Sequence, residues 1–474
     1  MRRKTLVTGV LFLVLLAALW LLNQKREERR AADESAQQMF HFEPGKVNRL
    51  TMIYPNQAII CQRTSEGTWE MVQPIQGLAD DGAIGEIISG LRGLRIERVV
   101  AEEKDLGSGE QLLSEYGLTQ PGFAVHLGLE KGELDTLVVG EKSPTTAYTF
   151  AARTSELKAL LVLSSSVEAI QKSLYDLRDK HLLDFDPPDA IGLEIKYEDQ
   201  RVVCSKSEGK WRLTYPIETL ADPAQIDSLL RTMKQSLATR FVAEKVPDLT
   251  RLGLDHPTLE VTLAVSEDTL PLSLLIGSKI QVQIKKEGEE DRITDEYFAK
   301  DTSRDPIFMV TTELVDALRK TPFDLRDRAV LVFEKPAVDR LELAREGLLI
   351  VCVKDSAATW QMTAPMASKA KDWRVNGLLA DLESLKAEDF VSERPKALAP
   401  FGLDRPRIEV RLLKGKTLVA ELWIGDRKDS QVYVKAKDRG WVYLVQDDIL
   451  DELEVDVDDI ADTVGGKAVE PDVI

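Results

Sequence analysis

The stretch from Trp211 to Gly277 occurs three times in this chain, and that repetition limits what the chain can fold into. Trp211 is followed by Pro216, Asp222, an apolar-striped run, Gly253, Pro257 and Gly277. The same order runs from Trp69 through Pro74, Asp80, Gly117 and Pro121 to Gly140. It runs again from Trp360 through Pro365, Asp372, Gly402 and Pro406 to Gly425. Tryptophan to proline is five positions in every copy, and the Gly117-type glycine to the next proline is four. Markers repeating at fixed offsets indicate tandem copies of one folding unit. A chain of 474 residues has room for about three domains of roughly 150 residues. We therefore expect modules at 46–186, 187–335 and 336–462.

Each module reads as antiparallel sheet plus helix. Two strand runs open the first, Arg49 to Tyr54 and Ala58 to Arg63, joined through the turn signal Pro55-Asn56. The tryptophan strand follows and stops at proline, which cannot donate to a sheet ladder. A helix comes next. Asp222 is an N-cap with Pro223 at the first helical position, and Ile226, Leu229, Leu230, Met233 and Leu237 form one apolar stripe. After it, each copy has a short strand ending in glutamate: Val99 to Glu102, Phe241 to Glu244 and Phe390 to Glu393. The Gly-Leu-x-x-Pro element is a turn, because glycine admits positive φ and proline fixes the entry to the next strand. A strand pair then ends at glycine, with a basic residue two places on (Lys142, Lys279, Arg427). Asp176 to Lys180 and Asp324 to Arg328 read as inter-module joints carrying ion pairs. Asp456 to Ile460 stands in their place in the third copy and lacks the arginine, as a terminal repeat with no neighbour would. The charged run from Lys285 to Asp305 breaks the repeat and reads as a mobile loop.

At the N-terminus, Arg2-Arg3-Lys4 precedes the uncharged run Leu6 to Leu22. As a helix this run measures about 26 Å, near the short limit for a membrane span. The expected layout is a cytoplasmic tail at 1–5, a transmembrane helix at 6–22, a stalk at 23–45 and a flexible tail at 463–474. The fold class expected is α+β, an N-terminal transmembrane helix followed by three tandem homologous modules. The expected location is the bacterial inner membrane, as a single-pass protein with a periplasmic body.

The net charge of −18 disfavours nucleic-acid binding, which needs a basic footprint. Cys61, Cys204 and Cys352 fall one per module inside apolar runs and read as small buried hydrophobes. Neither a Cys-x-x-Cys nor a His-Glu-x-x-His spacing is present, nor a phosphate-loop signature. His41, His126, His181 and His256 neither recur between copies nor lie at metal-ligand spacing. No catalytic, cofactor or metal residue is assigned. The repeated positions are those that build a fold, whereas an active site normally sits once, on residues that break the pattern.

Together, the Trp-x-x-x-x-Pro strand end, the striped helix, the Gly-Leu-x-x-Pro turn, the Ile/Val-Gly-x-Lys/Arg strand end and the Leu-Arg-Asp-Lys/Arg joint resemble a known family. This is the bacterial domain-of-unknown-function family DUF4340, repeat proteins encoded beside gliding-motility-type ABC transporters. The resemblance implies a membrane-anchored accessory protein and supplies no catalytic residue to transfer. The function expected is a non-enzymatic scaffold that partners an ABC-type transporter complex. The alternative is a cell-envelope glycan- or peptide-binding module, which needs an exposed aromatic cluster such as Trp373, Trp423 and Trp441.

Overall fold

The computed structural model describes residues 37–102, 114–133, 135–156, 158–265, 270–284 and 292–462, together with Trp20 and Gln24. It contains three nine-stranded antiparallel sheets of identical strand order, one per repeat. In the first module the strands are β1 (Val47–Tyr54), β2 (Gln57–Arg63), β3 (Trp69–Gln73), β4 (Gly77–Leu78), β5 (Arg98–Glu102), β6 (Phe123–Leu129), β7 (Leu137–Lys142), β8 (Tyr148–Arg153) and β9 (Lys158–Leu163). Their order across the sheet is β4-β3-β2-β1-β6-β7-β8-β9-β5. Helix α1 (Asp81–Gly93) covers one face, and the short helices α2 (Ser164–Ile170) and α3 (Leu174–Leu177) close the module. The chain divides into two compact units, residues 1–206 with 227–320 and residues 207–226 with 321–474.

The alternation of the strands explains the core. Leu50 stands opposite Cys61 and Leu127, and Met52 opposite Ile59 and Val125, all fully or almost fully buried. Ile84, Ile87, Ile88 and Leu91 of α1 press on this face at helical spacing. The third module repeats the plan with Leu341, Leu343, Ile350 and Cys352 under Val375, Leu378, Leu379 and Leu382. Trp69, Trp211 and Trp360 are all core residues, at 3%, 5% and 0% exposure.

The repeated glycines meet each other. Gly117, Gly253 and Gly402 have φ of 70°, 65° and 66°, which an L side chain adopts only with strain. The turns they make place the preceding carbonyl against the second glycine of each copy. A Cβ on Gly140, Gly277 or Gly425 would lie 2.1, 2.2 and 2.1 Å from the carbonyl oxygens of Tyr116, Leu252 and Phe401. The basic residue two places beyond each of these glycines is ion-paired: Lys142 with Glu168 at 2.7 Å, Lys279 with Asp295 at 2.6 Å and Arg427 with Asp447 at 3.8 Å. Pro74, Pro216 and Pro365 end their strands as expected and follow cis peptide bonds. Pro121, Pro257 and Pro406 each lie two residues before the strand that follows.

Several expectations are corrected. Among the described residues no helix is long and apolar enough to cross a membrane. The longest described helices have 13 residues, roughly 20 Å, and bury one face only, whereas a hydrocarbon core is about 30 Å thick. The expected transmembrane helix at 6–22 falls, Trp20 apart, outside the described residues, as do the tails at 1–5 and 463–474. The single-pass anchor and the inner-membrane, periplasmic location built on it are therefore not carried forward. The stalk drawn at 23–45 also ends too late. Gln37 to Met39 pair with the chain at Leu94 to Ile96, and Met39 and Phe40 belong to the first core. Asp372 is not a helix cap. The position eleven residues after the tryptophan is Asp80, Asp222 and then Lys371, and Lys371 is the N-cap. Asp372 instead accepts from the Trp360 amide at 2.7 Å, as Asp81 does from Trp69 at 2.8 Å. Finally, Arg292–Asp301 is a strand, paired along Leu272–Ile284. Its charges occupy paired or exposed positions, so the charged composition does not prevent a ladder.

Two outcomes follow from this packing. Gly425→Ala should cost about 2–3 kcal/mol in chemical denaturation, because the methyl group meets backbone. Gly415→Ala, at φ 59° with nothing within 4 Å, should cost only about 1 kcal/mol. Burial pushes the thiols of Cys61, Cys204 and Cys352 up to about 11, 12 and 11. A thiol reagent at pH 8 should therefore label the native protein far more slowly than the denatured one.

Candidate functional site

The repeated positions build modules, and what the copies do not share is concentrated where modules meet. A sheet edge has unpaired donors and acceptors. In the first module the edge at β4 is covered by the segment that follows α3. The Asp80 amide donates to Leu177 O at 2.9 Å, the Asp179 amide donates to Leu78 O at 3.1 Å, and Ala79 bridges to Arg178. Helix α3 is capped by a reciprocal Ser173–Asp176 box, which fixes where this segment starts. Lys180 reaches back to Asp80 at 3.1 Å.

This pairing aims Arg178 into the second module. Its guanidinium lies 3.5 Å over the Phe241 ring and is bound at both nitrogens by Glu244, at 2.6 and 2.7 Å. Arg178 is only 7% exposed. Arg304 adds a second contact: it pairs with Asp301 at 3.0 Å, approaches Asp179 to 3.6 Å and donates to Leu182 O at 3.0 Å and to His181 O. The Tyr175 hydroxyl donates to Ala238 O at 2.8 Å.

Beside these contacts lies a groove of ≈ 720 Å³. The first module lines it with Pro74, Ile75 and Leu78 and the second with Phe241, Asp305 and Pro306, and Arg178 and Arg304 line it too. Leu78 is 47% exposed here. About half of the lining is charged, with Asp179, Asp184, Glu244, Asp301 and Asp305 beside Arg178, Arg304 and Lys245. Among the described residues no group of three or more His, Cys, Asp or Glu is placed to hold a metal ion. His126 bonds Thr136 at 3.2 Å and His181 bonds Asp179 at 2.5 Å.

The three tryptophans expected to cluster on a glycan-type platform do not share one role. Trp441 packs against Arg326 and Phe390, Trp423 is half-buried with its Nε1 donating to Glu421 at 2.9 Å, and Trp373 is 71% exposed on a helix. Of the repeated residues, Pro74 alone lines the groove, and Asp80 supports it through Lys180. Arg178, Phe241 and Glu244 carry the joint, and no sequence motif connects the three. A signal was present. Phe241 and Phe390 occur where a module precedes, and the equivalent in the first module is Val99.

The Asp80 carboxyl is raised by burial, but the amide of Ala83 and the Lys180 ammonium outweigh this and hold it below the usual range. A depressed folded value adds stability above the unfolded value, and this is lost as pH falls through the folded one. Asp80→Ala should therefore cost about 1–2 kcal/mol at pH 7. The gap to wild type should narrow as the pH drops below about 4. Urea melts across pH 2.5–7 would measure it.

No curated protein matches the chain. Among solved structures it is similar to a DNA polymerase sliding clamp from Pseudomonas aeruginosa, at 7% identity and TM-score 0.13 over 87% of this chain and 94% of that one. It is likewise similar to the DNA polymerase III subunit beta from Pseudomonas aeruginosa, at 8% identity and TM-score 0.16 over the same shares. Scores this low carry no argument about fold or function. The sequence family described as Domain of unknown function (DUF4340) matches three times, over residues 69–218, 211–358 and 360–464. Three matches spanning most of the chain, one on each repeat, place the protein in the DUF4340 family.

Proposed function

We propose that this protein is a non-enzymatic scaffold that binds a partner protein in the groove at its first module joint. The observation that supports this is the groove itself, with exposed apolar side chains on one wall and a buried arginine, ion-paired with Glu244, in its lining. Interfaces concentrate their affinity where such apolar anchors are seated in a rigid frame. The partners to seek first are subunits of an ABC-type transporter, on the strength of the sequence resemblance. A glycan-binding reading has less support, because the unrepeated tryptophans lie in unlike surroundings.

The test is capture of partners by the tagged full-length chain, comparing wild type with Leu78→Asp. Leu78 is half exposed, so this change should leave the melting temperature within about 2 °C. It should reduce recovery of a specific partner about tenfold, the loss expected of one apolar anchor. Equal recovery by both proteins would remove the groove from consideration. Recovery of a groove-dependent partner that is no transporter subunit would correct the partner class alone.

A further inference from the structure

Both joints stack an equivalent arginine on an equivalent ring, Arg178 3.5 Å over Phe241 and Arg326 3.4 Å over Phe390, and they differ in the carboxylate. Arg178 is held by the Glu244 carboxylate at both nitrogens, and the Glu244 side chain is 45% exposed. Its counterpart Arg326 bridges to Ala221 as Arg178 does to Ala79. Arg326 is 6% exposed, lies 3.4 Å over Phe390 and 4.4 Å over Trp441, and forms no ion pair among the described residues. Glu393, at the place of Glu244, acts on it only as a more distant charge, and burial holds the guanidinium below its usual value. Phe390 is in turn surrounded by Phe323, Trp441 and Tyr443 at ring separations of 6.1, 5.6 and 5.3 Å. The remaining charge contacts follow the same division. The first joint adds Lys180–Asp80 at 3.1 Å and Arg304–Asp179 at 3.6 Å. The second has Arg439–Asp327 at 3.8 Å.

We propose that the first joint is a salt-sensitive hinge closed by the Arg178–Glu244 pair, whereas the second is locked by aromatic stacking on Arg326 and does not respond to salt. Salt screens charge as the Debye length falls, from about 30 Å at 0.01 M to about 3 Å at 1 M, and it reaches this pair through the Glu244 side chain, which is 45% exposed. A cation buried between rings is shielded from that screening by the rings themselves. The groove walls belong to the two modules that the first joint connects, so ionic strength sets their separation. This inference stands apart from the partner-binding reading, because it is measured on the joints alone.

Hydrogen exchange on the full chain reads both joints in one molecule. The amide of Ala238 reports the first, through Lys180 O. That of Ala387 reports the second, through Arg328 O. Raising NaCl from 0.01 to 1 M should speed exchange at Ala238 about fivefold or more and leave Ala387 within about twofold. Glu244→Gln should reproduce the fast exchange at low salt and abolish its salt dependence. Glu393→Gln should change nothing, and Phe390→Leu should loosen the second joint at both salt concentrations. An equal salt response at both joints, no response at either, or loosening of the second joint by Glu393→Gln would each overturn the proposal.

Discussion

Each sheet leaves an edge at its two-residue outer strand, and that edge must find hydrogen-bond partners. The first module finds them in its own closing segment, where Leu177 and Asp179 pair with Leu78 and Asp80. The second does the same with Leu325 and Asp327, and the third with Ile460 and Asp462. Everything at the joints depends on this pairing. It fixes the residue that points into the next module, and in the first two copies that residue is an arginine.

The third copy shows what the constraint requires and what it does not. Its closing helix has the same reciprocal cap, Asp456 with Asp459, and the same bridge, Ala370 to Ala461. The backbone pairing is retained, but alanine replaces arginine. At the other end, Val99 stands where Phe241 and Phe390 receive their arginines, and Glu156 stands where Arg304 and Arg439 reach their aspartates. Edge coverage is therefore a property of every module, and the arginine contact is a property only of modules with a neighbour.

The first joint also gives a role to Glu244 and to Asp179, beyond the helix caps that Asp176 and Asp324 make inside their own modules. Glu244 pairs with Arg178 and Asp179 with Arg304 and His181. These groups are half-buried or better, with their charges matched at short range. Both arginines stack on a phenylalanine, and Arg326, which lacks the carboxylate, has the Trp441 ring beside it as well.

The sequence by itself determined the number of modules, their antiparallel strands, the capped and striped helix, the buried tryptophans and the Gly-Leu-x-x-Pro turn. Each rests on contacts between neighbours in the chain or on side-chain periodicity, so residue order carries them. Asp372 lies one position past the cap, and an aspartate in a first helical turn has the same composition signature as a cap. Only the tertiary structure decided that Gly140 faces the Tyr116 carbonyl, that Arg178 finds Phe241 and Glu244 more than sixty residues on, and that Pro74 and Leu78 wall a groove. Those contacts join segments whose spacing no local pattern encodes: the first exists only once a sheet has closed on its own turn, and those of Arg178 only once the first two modules have packed together.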